Sequence, residues 1–91
     1  MQYDLPVGFL YDRWTQRGGK CFYTDIEMTM TGRAPTTISV DKVLPEDGYT
    51  IGNTVLCANR INSMKQDATL AEMREWMPMW AARAEAFLGN F

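Results

Sequence analysis

The chain has 91 residues, three Trp, four Tyr, four Phe, seven Met, no histidine and a formal net charge of −2. That length holds one small domain, which buries only about 60–65% of its unfolded surface and must rely on its large side chains. The nine Lys and Arg are scattered without a run, so the basic surplus that dedicated nucleic-acid binders spend on phosphate contacts is missing.

Cys21 and Cys57 are the only cysteines and lie far apart. A disulfide framework and a four-cysteine zinc site are both excluded, and a reduced, cytoplasmic protein is the expectation. The opening MQYDLPVGFL has no basic n-region, so no signal peptide is expected. No stretch approaches the roughly 20 apolar residues of a membrane span.

Asp4 and Pro6 mark a helix start, and Val7, Leu10, Tyr11 and Trp14 follow at helical spacing. The pattern predicts an N-terminal helix over 4–17, with those four residues as its apolar face, ended by Gly18-Gly19. Residues 20–31, KCFYTDIEMTMT, are rich in β-branched and apolar side chains around Thr24-Asp25. They predict a hairpin with strands near 21–23 and 27–30. A loop over 31–36 follows, punctuated by Gly32 and Pro35.

Residues 37–42 alternate as a strand does, Ile38 and Val40 on one face and Ser39 and Asp41 on the other. A Pro- and Gly-bearing loop over 43–52 leads to a second strand near 54–57. A helix then runs to about Gln66, with Cys57, Ile61 and Met64 sharing its inner face and Asn59, Asn62, Ser63 and Lys65 lying away from it. Thr69-Leu-Ala-Glu72 is a capping-box sequence. It opens a C-terminal helix whose apolar face is Leu70, Met73, Met77, Trp80, Ala84 and Phe87. Pro78 removes a backbone donor there and predicts a kink or short break, and Gly89 terminates the helix.

Two strands feeding a helix, with Asp, Asn, Asn and Lys at the joints, resemble the HNH, or ββα-metal, endonuclease superfamily in its phage-type members. The matching pieces are Gly19–Asp25, Ser39–Val43, Gly48–Asn53 with Val55-Leu56-Cys57, and Asn62-Ser63-Met64-Lys65. They cover about half the chain. The fold expected is a single α+β domain over 1–91: an N-terminal helix, a β-hairpin, an HNH-like ββα core about 37–66, and a C-terminal helix with a Pro kink.

The resemblance implies roles residue by residue. Asp41 matches the carboxylate that helps hold a divalent metal, and Lys42 stands where the general-base His stands. Asn53 matches the Asn that tethers the loop and orients the base. Asn62 matches the residue that completes the metal site or stabilises the helix start. Lys65, Arg60 and Tyr49 are the candidate contacts to nucleic acid or a partner. Cys21 and Cys57 fall where some members carry zinc-knuckle cysteines, but Thr24 and Ile61 stand near the places of their partners, so no structural zinc is expected.

In such a site one divalent ion neutralises the phosphate while a neutral His takes a proton from water. Lysine, with an unperturbed pKa of about 10.4, and Tyr49, near 10, are poor substitutes. Two functions therefore stay open. One is a catalytically degenerate, HNH-like phage-type protein that needs no cofactor and acts by binding. Such a protein resembles an anti-CRISPR-like inhibitor, meeting a host protein or nucleoprotein complex in the bacterial cytoplasm through Asp25, Glu27, Glu46 and Asp47 or through a Met- and Trp-rich face. The other is an active endonuclease that takes Mg²⁺ or another divalent ion on Asp41 and Asn62, with DNA as its partner and an unorthodox base.

Overall fold

A computed structural model describes residues 3–89; residues 1–2 and 90–91 of the expected domain lie outside them. The architecture is mixed α+β. In chain order the elements are β1 (Tyr3–Asp4), α1 (Phe9–Gln16), β2 (Ile38–Lys42), β3 (Tyr49–Thr50), β4 (Thr54–Ala58), α2 (Asn59–Lys65), α3 (Leu70–Trp76) and α4 (Pro78–Leu88).

The centre is the antiparallel pair β2–β4, in register from Ile38 opposite Ala58 to Lys42 opposite Thr54. Every residue of β4 is buried, as expected of the short apolar run Val55-Leu56-Cys57. α2 follows β4 without a linker. Its first amide groups find loop carbonyls instead of a side-chain cap: Asn59 N–H donates to Thr37 O at 2.8 Å and Arg60 N–H to Pro35 O at 2.9 Å. These bonds satisfy donors that a helix start leaves without intrahelical partners.

The inner face of α2 differs from the one expected. Met64 is 56% exposed, whereas Ile61 and Lys65 are buried. These two are four residues apart and so share one face. Lysine occupies an inward position because a buried carboxylate waits for it, as described below.

The N-terminal helix is shorter than 4–17. Tyr3 and Asp4 instead pair in parallel with Tyr49 and Thr50, and Gly8 turns the chain at φ 83° before the helix begins. Val7 therefore precedes the helix and is fully exposed, and Tyr11 is also exposed. Phe9 is buried, with Leu10 and Trp14 packed at the core edge.

The expected hairpin contracts to one antiparallel bridge between Lys20 and Glu27, while Thr29 bridges in parallel to Thr37. Asp25 N–H donates to Cys21 O, so residues 21–25 coil as a helical turn that ends with Asp25 at φ 62°. This turn delivers Cys21, Phe22 and Tyr23 into the core.

At the C-terminal end the capping box forms as expected: Glu72 N–H donates to the Thr69 hydroxyl and the Glu72 carboxylate accepts from Thr69 N–H. Met77 breaks the helix at φ −139° and Pro78 opens α4 as its first residue. α3 and α4 then close on each other, with Met73, Ala81 and Ala84 buried and Arg74 paired to Glu85 at 2.7 Å. Gly89 ends α4 in the left-handed conformation. Among the described residues no helix is long and apolar enough to cross a membrane.

Candidate functional site

The 43–53 connection between β2 and β4 is held from inside by Asn53, which is 4% exposed. Its amide nitrogen donates to Leu44 O at 3.0 Å and Gly48 O at 2.8 Å, and its carbonyl oxygen accepts from Leu44 N–H at 2.8 Å. One side chain thus answers three backbone groups of the 44–48 turn. Asn supplies both donor and acceptor in a plane, which is why this residue type suits the position.

Asp41, near the end of β2, is also 4% exposed. Tyr23 donates its hydroxyl to Asp41 Oδ2 at 2.7 Å. The ammonium of Lys65 sits astride the carboxylate, 3.3 Å from Oδ2 and 3.4 Å from Oδ1. It donates as well to Lys42 O at 3.0 Å, and the Lys65 side chain is fully sealed from solvent. Burial pushes the Asp41 carboxyl above the usual range, against the pull of Lys65 and Tyr23. Burial and the neighbouring Asp41 push the Tyr23 hydroxyl far up, so it remains a donor at neutral pH. The three groups form a closed Tyr–Asp–Lys network whose hydrogen bonds are strengthened by the low local dielectric.

Of the other sequence-predicted residues, Lys42 joins this network only through its backbone carbonyl. Asn62, on α2, donates its amide to Ser39 Oγ at 2.6 Å and so pins the helix to β2. Lys42 is half-buried, its ammonium 5.3 Å from the centre of the Tyr49 ring, a cation–π distance. Arg60 is exposed at the start of α2. Of the acidic residues proposed to meet a partner, Glu27, Glu46 and Asp47 are exposed. Asp25 is already held by Arg17 at 2.7 Å and Arg83 at 2.6 Å, which lowers its carboxyl to about 2.

A divalent ion of the Mg²⁺ type needs near-octahedral oxygen ligands at about 2.1 Å. Asp41 does not fit that demand. One oxygen accepts from Tyr23, both lie beside an ammonium, and the Asn62 amide is turned to Ser39. The Lys65 ammonium takes the place of a cation from outside. Among the described residues no group of three or more His, Cys, Asp and Glu is placed to hold a metal.

Sequence reasoning missed Tyr23 as a partner of Asp41 and gave Lys65 an outward role. The signal for Lys65 was its four-residue spacing from Ile61. For Tyr23 it was the neighbouring Cys21-Phe22 pair, which marked the segment as core. Among known proteins, no family model matches the chain and no curated protein matches it at a significant level.

Proposed function

We propose that this chain is a catalytically silent, HNH-like protein of phage type that acts by binding, as an inhibitor of a host nuclease or defence complex in the bacterial cytoplasm. One observation carries the loss of catalysis: Lys65 and Tyr23 consume the Asp41 carboxylate inside the fold. A buried pair of this kind holds its charges tightly, because removing either partner strands the other. The general-base position holds Lys42 stacked on Tyr49, and the chain has no histidine. No cofactor is needed for such a role.

The binding half is supported by the surface. Trp76 and Met79 are 73% and 80% exposed, and they flank the α3–α4 elbow at Pro78. Tryptophan at an exposed apolar patch is the residue type that most often anchors protein interfaces.

The test has two arms. Plasmid nicking by the pure protein with Mg²⁺ or Mn²⁺ should be absent. Nicking that disappears in Asp41→Ala would overturn the assignment in favour of an endonuclease. In the second arm, added protein should lower metal-dependent nuclease activity on DNA in a bacterial extract, and Trp76→Ala should relieve that inhibition.

A further inference from the structure

Although the Lys and Arg residues are scattered in sequence, four of the nine converge in space. Arg13, Arg17, Lys20 and Arg83 line two adjoining cavities between α1 and α4, of about 130 and 500 Å³, which share Arg17, Phe22 and Phe87. Asp25 pairs with two of these four cations, and Glu27 stands across the bridge from Lys20. On a chain of net charge −2 this still leaves a local excess of positive charge. None of the lining residues belongs to the Asp41 network.

The chemistry of the walls is mixed in a specific way. Phe22 and Phe87 meet edge to face with centroids 5.4 Å apart. The Arg17 guanidinium lies 5.4 Å from the Phe22 ring centre, and that of Arg13 lies 5.1 Å from the Phe87 centre. Stacking on rings holds a guanidinium plane in place, so less freedom is lost when it grips an anion. Arg83 is spent on Asp25 and on Phe22 O. Arg17 commits one terminal nitrogen to Asp25, which leaves the rest of its fork for a ligand. Lys20 is exposed and forms no ion pair within the described residues.

A fork plus an ammonium beside a ring-lined floor suits a phosphate attached to a flat ring. Guanidinium forks match phosphate oxygens in pairs, and nucleobases stack on aromatic side chains and guanidinium planes. The larger cavity has the size of ordinary small-molecule sites, about 300–1,000 Å³; Lys20 lines the smaller one, and Arg17 lines both. We infer that the α1–α4 cleft binds a nucleoside phosphate, with the phosphate on Arg17 and Lys20 and the base toward the half-buried Phe87. This site stands independently of the ββα assignment.

The same chemistry is offered by a free nucleotide and by the phosphorylated end of a single strand. Calorimetric titration of the full chain distinguishes them with four probes: AMP, adenosine, inorganic phosphate and a 5′-phosphorylated tetranucleotide. AMP should bind one-to-one with a Kd below about 1 mM, at least about tenfold tighter than adenosine or phosphate alone. Lys20→Gln and Arg17→Gln should each weaken AMP about five- to tenfold with the melting curve of Lys20→Gln unchanged. A tetranucleotide that binds tighter than AMP identifies the strand end as the natural source; equal binding identifies the free nucleotide. AMP binding no tighter than phosphate, or unaffected by Lys20→Gln, overturns the site.

Discussion

The ammonium of Lys65 lies 3.3 Å from a carboxylate oxygen of Asp41, and both side chains are buried. The pair joins the last turn of α2 to the end of β2, so the helix is fastened to the sheet by charge as well as by Ile61. Desolvating two ions costs several kcal/mol, which mutual attraction offsets only while both are present. Lys65→Met should therefore lower stability by about 3–5 kcal/mol, and adding Asp41→Leu should restore most of that loss. Without Lys65 the Asp41 carboxyl rises further, and a raised acid is tolerated best when protonated. The deficit of Lys65→Met should be largest at pH 7 and shrink as pH falls toward 4. Urea midpoints of the two variants across that range check both statements; a deficit independent of pH would contradict them.

Asn53 is the internal peg of the 43–53 loop. Asn53→Ala strands Leu44 N–H and Gly48 O near the core, while Leu44 O keeps the Asp47 N–H, and should cost about 1–3 kcal/mol. The loss should be local first: the amide of Leu44 should exchange with solvent much faster while those of β4 keep most of their protection. Uniform acceleration across the chain would show that the loop and the sheet open together.

Asp25 gives the fold an acid-sensitive clasp. Hydrogen bonding to Arg83, with further help from Arg17, lowers its carboxyl to about 2. A lowered carboxyl contributes stability above its unfolded value of about 3.9, and that contribution is lost as pH falls toward 2. Asp25→Asn keeps a residue type that tolerates the positive φ of this position but removes the charge. Its melting temperature should fall below wild type at pH 5 and converge with it near pH 2. Parallel curves would mean that Asp25 is not the titrating group.

Gly19 lies against a tryptophan. A Cβ there would stand 2.7 Å from a ring carbon of Trp14, at φ 73°. Gly18 has a similar φ of 62° but open space around it. Gly18→Ala should cost only the backbone conformation, about 1–2 kcal/mol. Gly19→Ala should cost more and shift the Trp14 fluorescence, because the ring must move. Equal costs would remove the Trp14 contact from the account.

The α+β class, the ββα order, the capping box at Thr69 and the break at Pro78 could all be read from the sequence, because each is written locally: alternation, a cap, a missing amide. The hold of Asn53 on Leu44 and Gly48 depends on how the 43–53 loop folds back on it. What could not be read depended on distant partners. Val7 looked helical until Tyr3 and Asp4 found β3. Lys65 looked solvent-facing until Asp41 provided a counter-ion twenty-odd positions away, and the charge of Lys65 concealed its inward spacing from Ile61. The four cations of the α1–α4 cleft make no run in sequence, so only the packing of α4 against α1 reveals them.

The pairing of β1 with β3 has a consequence for the order of assembly. β2, β4 and α2 follow one another closely along the chain, so their contacts close small loops, whereas β1 must reach across half the sequence to find Tyr49 and Thr50. Loop-closure entropy favours short-range pairing early. The ββα unit should be the nucleus, and the β1–β3 ladder a late addition that opens first under strain. Pulse-labelling during refolding should protect the β4 amides before those of β3. The Asp41–Lys65 pair would then exist before the strand that finishes the molecule has arrived.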